Sequence, residues 1–285
     1  MSEVAIPSAF ADRRFHFFDQ LARWAAVVLL YAAPTSRALF NVTSLVILLS
    51  WLLAGRYAQR WAVVRGNLVL WPCVALVSIM LIGITYTVAP LADVLEHVRV
   101  YSKFLFVLLL VSLLYQVVWR QRAWGAFALA MLVTVGTTYL NIWWDPPWST
   151  TRNQGWGVDH SVFVDYIIQG VVSTFFMVLA LERARAAKQV AMQAIWLVVT
   201  AATLVSVIFL LQGRTGQIAI LAVFMVYAYQ ITPARWRWPV IAAGLVLLVA
   251  LMAASPLLQA RVLTAWAEFQ RFQADDYQSS VGIRL

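Results

Sequence analysis

Residues 192–231 read MQAIWLVVTAATLVSVIFLLQGRTGQIAILAVFMVYAYQI, and this stretch decides the fold. It contains two almost uninterrupted apolar runs, 192–211 and 215–231, on either side of a short polar connection that includes Arg214. A membrane-spanning helix needs about 20 mostly apolar residues, and fewer when its ends reach the interface. The stretch therefore predicts two spanning helices joined by a tight turn.

The rest of the 285-residue chain has a matching composition. Hydrophobic residues make up 63% of it and charged residues 12%, against roughly 25% charged in an ordinary globular domain. Many of the 14 Trp, 15 Phe and 10 Tyr residues stand near the ends of apolar runs, as amphipathic rings do at a membrane surface. These features exclude a soluble domain, a disordered chain and a nucleic-acid-binding domain, and they predict an all-α, polytopic membrane protein. One cysteine, Cys73, excludes an intrachain disulfide.

The apolar runs predict about nine spans. They fall near residues 17–34, 38–54, 67–86, 100–118, 123–142, 161–181, 192–211, 215–231 and 238–254. Pro34 and the residues after it supply the turn between the first two. Residues 1–20, where phenylalanines alternate with charges, lack the apolar core of a signal peptide and predict an interfacial helix instead. We therefore expect a transmembrane helical domain over 1–254, with the start of a large outer loop over 255–285.

The distribution of basic residues predicts the orientation, because Lys and Arg concentrate on the cytoplasmic side of membrane proteins. With the N-terminus inside, the cytoplasmic side receives most of the 21 basic residues, namely Arg13, Arg14, Arg23, Arg56, Arg60, Arg65, Arg120, Arg122, Arg183, Arg185, Lys188, Arg235 and Arg237. The longer connections of mixed charge, which contain Trp, Pro, Asp and His, then face outward. Long connections of this kind usually carry function, so we expect any chemistry on the outer face.

The turn at Gly213-Arg214-Thr215-Gly216 is the most informative outer connection. Its glycines permit positive φ angles and close approach of a ligand to the backbone. The helix that starts there directs unpaired N–H groups and a positive dipole end toward the same place as the arginine. Together these groups are suited to a phosphate or diphosphate. The alternative is an interfacial arginine in an ordinary turn, and these residues alone do not separate the two interpretations.

A second motif lies near the C-terminus. After Arg261 and Glu268, the chain reads Ser280-Val281-Gly282-Ile283-Arg284. An arginine-bearing Gly-Arg-Thr-Gly turn between two spans, followed by an outer Ser-x-Gly-x-Arg element, resembles the O-antigen ligase family. The resemblance covers roughly residues 192–285, while the earlier spans match the family only in hydropathy and topology.

The resemblance implies an enzyme of the bacterial inner membrane with a glycosyltransferase C-like helical bundle. Members transfer O-antigen polysaccharide from undecaprenyl diphosphate to the lipid A–core oligosaccharide on the periplasmic face, and need neither a metal nor a nucleotide sugar. Related members are O-antigen polymerases and protein O-oligosaccharyltransferases. A different class, a lipid-linked-glycan transporter or a non-catalytic membrane subunit, remains open from the residues alone.

The resemblance also suggests roles for individual residues. Arg214 and Arg284 would be catalytic, since forked guanidinium donors match the charge that develops on a departing diphosphate. Predicted substrate-binding residues are Arg261, Gly213, Thr215, Gly216, Ser280, Arg152 and His160. The family's base is implied to be a histidine downstream of the second motif, beyond Leu285, in a longer protein with about three more spans.

His160 is the alternative base within this chain. It follows Asp159 at the end of the outer connection 143–160, which is dense in Trp, Asp and Asn, residues that stack on sugars and hydrogen-bond to them. The competing interpretation makes Asp159 the N-cap of the next span, His160 an ordinary interfacial residue and the tryptophans a membrane belt.

Overall fold

The computed structural model describes residues 9–87, 90–101, 103–254 and 259; the side chains of residues 9–14, 91, 99, 100 and 214 lie outside this description. Every regular element in the described residues is helical. The helices are α1 Ala9–Thr35, α2 Arg37–Ala54, α3 Tyr57–Arg65, α4 Leu70–Ile84, α5 Leu91–Tyr101, α6 Lys103–Leu113, α7 Val117–Leu140, α8 Tyr166–Ala186, α9 Val190–Phe209, α10 Arg214–Ile231 and α11 Arg237–Ala253. A 3-10 turn, Ala234–Trp236, leads into α11.

Five elements of the described chain are long and apolar enough to cross a membrane. They are α2, α7, α8, α9 and the continuous segment Ala234–Ala253. A sixth results if α3 and α4, which are bent by 98° at their junction, form one broken span, and α10 is a shorter apolar helix. This composition is that of a helical membrane protein, but the expected count of nine spans is not confirmed.

Each of the nine apolar runs nevertheless contains a helix, and the differences are in length. The run at 100–118 yields only the 11-residue α6. The first run is part of the 27-residue α1, so the expected interfacial helix is continuous with the helix that follows it. The predicted turn after Pro34 is present, since α1 ends at Thr35 and Ser36 caps α2 by accepting a hydrogen bond from the Leu39 N–H at 3.3 Å.

The contacts divide the chain into two compact units, and the boundary falls inside α7, after Leu129. In the first unit, small side chains on one face of α1 allow α2 and α6 to pack closely against it. The buried core there consists of Ala22, Ala25, Ala26, Leu29, Ile47 and Leu113.

The first unit also buries a group of charged side chains. Asp19 accepts a hydrogen bond from Arg60 at 2.8 Å and forms an ion pair with Arg23 at 2.7 Å. Arg23 also donates to the Gln116 side chain at 2.7 Å. Arg60 and Arg23, counted above among the charges that set topology, are thus buried inside the protein, 6% and 9% exposed.

The second unit contains α8 to α11 and the end of α7. A face of small residues on α8 allows α10 to approach closely, and Thr174 donates a 3.3 Å hydrogen bond across this contact to the Gly216 carbonyl. The apolar core around α9, α10 and α11 consists of Val207, Ile208, Leu211, Ile220 and Leu248. This packing fixes where the N-terminus of α10 lies within the unit.

Candidate functional site

The candidate site is the end of the second unit where α7 and α9 end and α8 and α10 begin. The connection between α7 and α8 folds onto the turn between α9 and α10, because the His160 N–H donates to the Leu210 carbonyl at 2.8 Å. The same turn packs against the start of α8, where Gly213 lies beside the Tyr166 carbonyl. Two helix N-termini therefore stand next to each other.

The N-terminus of α10 has no side-chain cap. Its N-cap is Gly213, with φ −80° and ψ 107°, and α10 begins at Arg214. Thr215 is exposed and Gly216 is buried. First-turn N–H groups without an intrahelical partner, together with the positive end of the helix dipole, attract anions. Of Arg214 only the backbone is described, so the direction of its guanidinium group remains a prediction.

The two glycines of this turn are required for a different reason than expected. The φ of Gly213 is not positive, so no left-handed conformation demands glycine. A methyl group on Gly213 would lie 3.0 Å from the Tyr166 carbonyl oxygen, and one on Gly216 would lie 2.9 Å from the Gly170 Cα. Helix α8, rather than a ligand, fills the space in which a side chain would stand.

Asp159 is hydrogen-bonded to the turn between α9 and α10. Its carboxylate accepts hydrogen bonds from the Ser161 hydroxyl at 3.0 Å and from the Gln212 N–H at 3.3 Å. Burial raises the pKa of the Asp159 carboxyl, and these two hydrogen bonds counteract part of that rise.

The expectation that Asp159 caps the next span is wrong. The N-cap of α8 is Asp165, whose carboxylate accepts from the Ile167 and Ile168 N–H groups at 2.9 and 3.0 Å. Residues 161–164 precede α8 and are buried without being helical, except that Phe163 is partly exposed.

His160 is completely buried, at 0% exposure, so its ring is enclosed by protein and is not exposed at a surface. Its Nε2 lies 2.7 Å from the Gly155 carbonyl oxygen. A carbonyl only accepts, so Nε2 is the protonated nitrogen and Nδ1 carries the lone pair in the neutral ring. Nδ1 has no hydrogen-bond partner in the described part of the chain. In this arrangement the ring supports the loop from within.

The connection that contains His160 is internally ordered. Thr151 donates to the Ser161 carbonyl at 2.7 Å and Asn153 donates to the Asp159 carbonyl at 2.8 Å. Arg152, between these two anchored residues, is exposed. Four tryptophans of this connection are about half exposed or more, namely Trp143, Trp144, Trp148 and Trp156. They are available either to a membrane interface or to a sugar.

Two buried polar residues near the site were not singled out in the sequence. Gln169 accepts from the Val162 N–H at 2.8 Å and donates to Thr138 at 2.9 Å. Asn141 donates to Ser149 at 2.8 Å. An amide in the middle of an apolar run is the signal that identifies such residues, because a buried amide needs partners.

The remaining predicted site residues lie outside the described residues: Arg261, Ser280 and Arg284. The meeting of Arg214 with Arg284 therefore stays a prediction. Among the described residues, no three His, Cys, Asp or Glu side chains are grouped as a metal site requires. Comparison with known proteins gives no match to this chain, whether among protein-family models, curated proteins or solved structures.

Proposed function

We propose that this chain is an inner-membrane glycan ligase that takes O-antigen polysaccharide from undecaprenyl diphosphate and joins it to the lipid A–core oligosaccharide. The proposal rests on the two-motif resemblance to the O-antigen ligase family. It includes the predicted nine-span topology, a location in the bacterial inner membrane and an active site at the end of α8 and α10 that faces the periplasm.

The observation that supports this function best is the uncapped N-terminus of α10. It begins at the arginine of the first motif, with Gly213 and not an acidic or hydroxyl side chain as its N-cap. The neighbouring α8 N-terminus, by contrast, has its N–H groups occupied by Asp165. At the α10 end, by comparison, no side chain of the described residues caps the N–H groups, and a diphosphate is the kind of anion that a helix N-terminus binds.

Glycan transfer needs a base for the acceptor hydroxyl and cationic groups for the departing diphosphate. As the acceptor hydroxyl oxygen attacks the anomeric carbon, the bond from that carbon to the diphosphate oxygen breaks and the hydroxyl proton passes to a base. The departing diphosphate gains negative charge, which the α10 N–H groups, Arg214 and Arg284 would stabilise. Arg152, exposed on the neighbouring connection, is placed to meet a second anionic or glycan group.

His160 has a supporting role in this scheme. Because it is buried and its Nε2–H is engaged by Gly155, it positions the connection against Leu210 rather than receiving the acceptor proton. The base that the resemblance implies is a histidine downstream of the second motif. The exposed tryptophans of the connection would provide flat apolar surfaces for sugar rings.

The test is substitution of Arg214 in the full-length protein, with glycan attachment to lipid A–core measured in cells. We expect Arg214→Ala to reduce transfer by at least about 100-fold, as loss of a transition-state donor does, and Arg214→Lys to restore little because it lacks the fork. Arg183→Ala, the same change at an exposed position at the opposite end of α8, should leave transfer intact. Normal transfer by Arg214→Ala at normal protein level would reject the assignment.

A further inference from the structure

A cavity of about 350 Å³ lies in the first unit, far in the sequence from the proposed glycan site. Its walls come from α1, α3, α6, α7 and the residues between α6 and α7. Six aliphatic side chains form most of the lining: Leu30, Val63, Val107, Leu110, Val111 and Leu114. The volume falls in the range of about 300–1,000 Å³ that small-molecule sites occupy.

The polar residues of this cavity are chiefly hydrogen-bond donors. Arg120 is exposed, and its guanidinium group makes no hydrogen bond or ion pair with any described residue. The side-chain oxygen Oδ1 of Asn67 accepts from the Val69 N–H at 2.9 Å, while the side-chain amide N–H groups of Asn67 have no described partner. None of the described residues that line the cavity is acidic. A ligand with an aliphatic part and an anionic head matches such a lining.

The surroundings add positive charge. Among the described residues, Asp19 is the one carboxylate that pairs with Arg23 and Arg60, so this buried group has one carboxylate for two guanidiniums. The Arg60 Nη1 is buried and lacks a partner in the described chain. Tyr115 lines the cavity and also contacts this buried charged group, because its ring centre lies 5.4 Å from the Arg23 guanidinium carbon. An anion near Tyr115 and Arg120 would balance this excess.

We propose that the cavity binds an anionic phospholipid of the surrounding bilayer, with part of an acyl chain against the aliphatic wall and the phosphate beside Arg120 and Asn67. The aliphatic wall argues against a free inorganic anion, and the unpaired arginine argues against a zwitterionic lipid. Basic pockets between membrane helices bind anionic headgroups in this manner. The proposal does not depend on glycan transfer.

The test uses the purified full chain in detergent, with bound lipid measured by native mass spectrometry. We expect phosphatidylglycerol to bind at least about fivefold more tightly than phosphatidylcholine. Both lipids carry a phosphate, but the choline ammonium of phosphatidylcholine offsets its charge, and one basic residue contributes about that factor to the binding of a lipid with net negative charge. Arg120→Ala should remove this preference. Arg183→Ala, which changes another exposed arginine that does not line this cavity, should keep it.

Two further experiments test whether the bound anion is a lipid and whether the aliphatic lining of the cavity contributes to binding. Millimolar inorganic phosphate should not displace phosphatidylglycerol; if it does, the site binds free anions and the lipid proposal fails. Val111→Phe should weaken lipid binding by filling the cavity, provided the variant unfolds at the wild-type temperature. Equal binding of both lipids, or an unchanged preference in Arg120→Ala, would likewise overturn the proposal.

Discussion

The contact between α8 and α10 predicts that Gly216→Ala destabilises the protein. The added methyl carbon would lie 2.9 Å from the Gly170 Cα, 3.1 Å from the Gly170 carbonyl carbon and 3.2 Å from Val207 Cγ1. Carbon atoms pack best at about 3.5–4.0 Å, so the helices must separate by roughly 0.6–1.1 Å at the tightest point. Overpacking of this kind costs about 1–3 kcal/mol.

The gain in helix propensity offsets part of that cost. Replacing Gly by Ala in a helix contributes about 0.5–1 kcal/mol, so at the middle of both ranges the net loss in the free energy of unfolding should be roughly 1 kcal/mol. This corresponds to a midpoint lowered by about 2–4 °C in a chain of this size. The measurement is unfolding in detergent followed by circular dichroism.

Gly136→Ala provides the matched control. It makes the same change inside α7, where a methyl group would meet nothing within 4 Å, so its stability should equal or exceed that of the wild type. Gly170→Ala, whose methyl would lie 3.1 Å from the Gly216 Cα, should be intermediate. If Gly216→Ala unfolds at or above the wild-type midpoint while the control behaves as expected, α8 and α10 do not pack as described.

Three further predictions use the same unfolding assay. Burial raises the Asp159 pKa above the ordinary 3.8, so the folded state binds this proton more tightly than the unfolded state does. Stability should therefore decline as the pH rises from about 4 toward neutrality. Asp159→Asn should remove that part of the decline, and an identical pH profile in the variant would contradict the burial of Asp159. Asp19→Ala leaves two buried guanidiniums without their carboxylate and should lower the free energy of unfolding by about 3–5 kcal/mol. Glu182→Ala, which breaks the exposed pair with Arg185, should lower it by at most about 1 kcal/mol. Equal effects of the two substitutions would refute the burial of Asp19. Asp165→Ala removes the cap of α8 and should cost about 1 kcal/mol, and an unchanged midpoint would exclude that cap.

Hydropathy predicted where helices lie better than where they begin. The run at 161–181 was expected to be helical throughout, yet α8 starts at Tyr166. Val162, Phe163 and Val164 are apolar but not helical. The reason is that the Val162 N–H donates to the Gln169 side chain, and the Val162 carbonyl accepts from the Thr150 N–H. Hydropathy measures transfer from water and carries no information on such hydrogen bonds.

The character of the site was predictable only in part. That a polar turn with Arg214 joins two apolar helices follows from the sequence, and α10 begins at that residue. The burial of His160 did not follow, because its partners Gly155 and Leu210 are set by the fold and not by neighbouring residues. The packing that requires glycine at position 216 was not predictable either, since its neighbour Gly170 belongs to another helix.

The ion pair between Asp19 and Arg60 has a consequence for biosynthesis. The partners are 41 residues apart in the chain, so at about 5–20 residues per second the ribosome supplies Arg60 roughly 2–8 s after Asp19. Of its two described ion-pair partners, Asp19 then has Arg23, one helical turn away, but not yet Arg60. We therefore expect α1 to settle at its final depth only after α3 has been synthesised, which couples the insertion of the first helix to the arrival of the third.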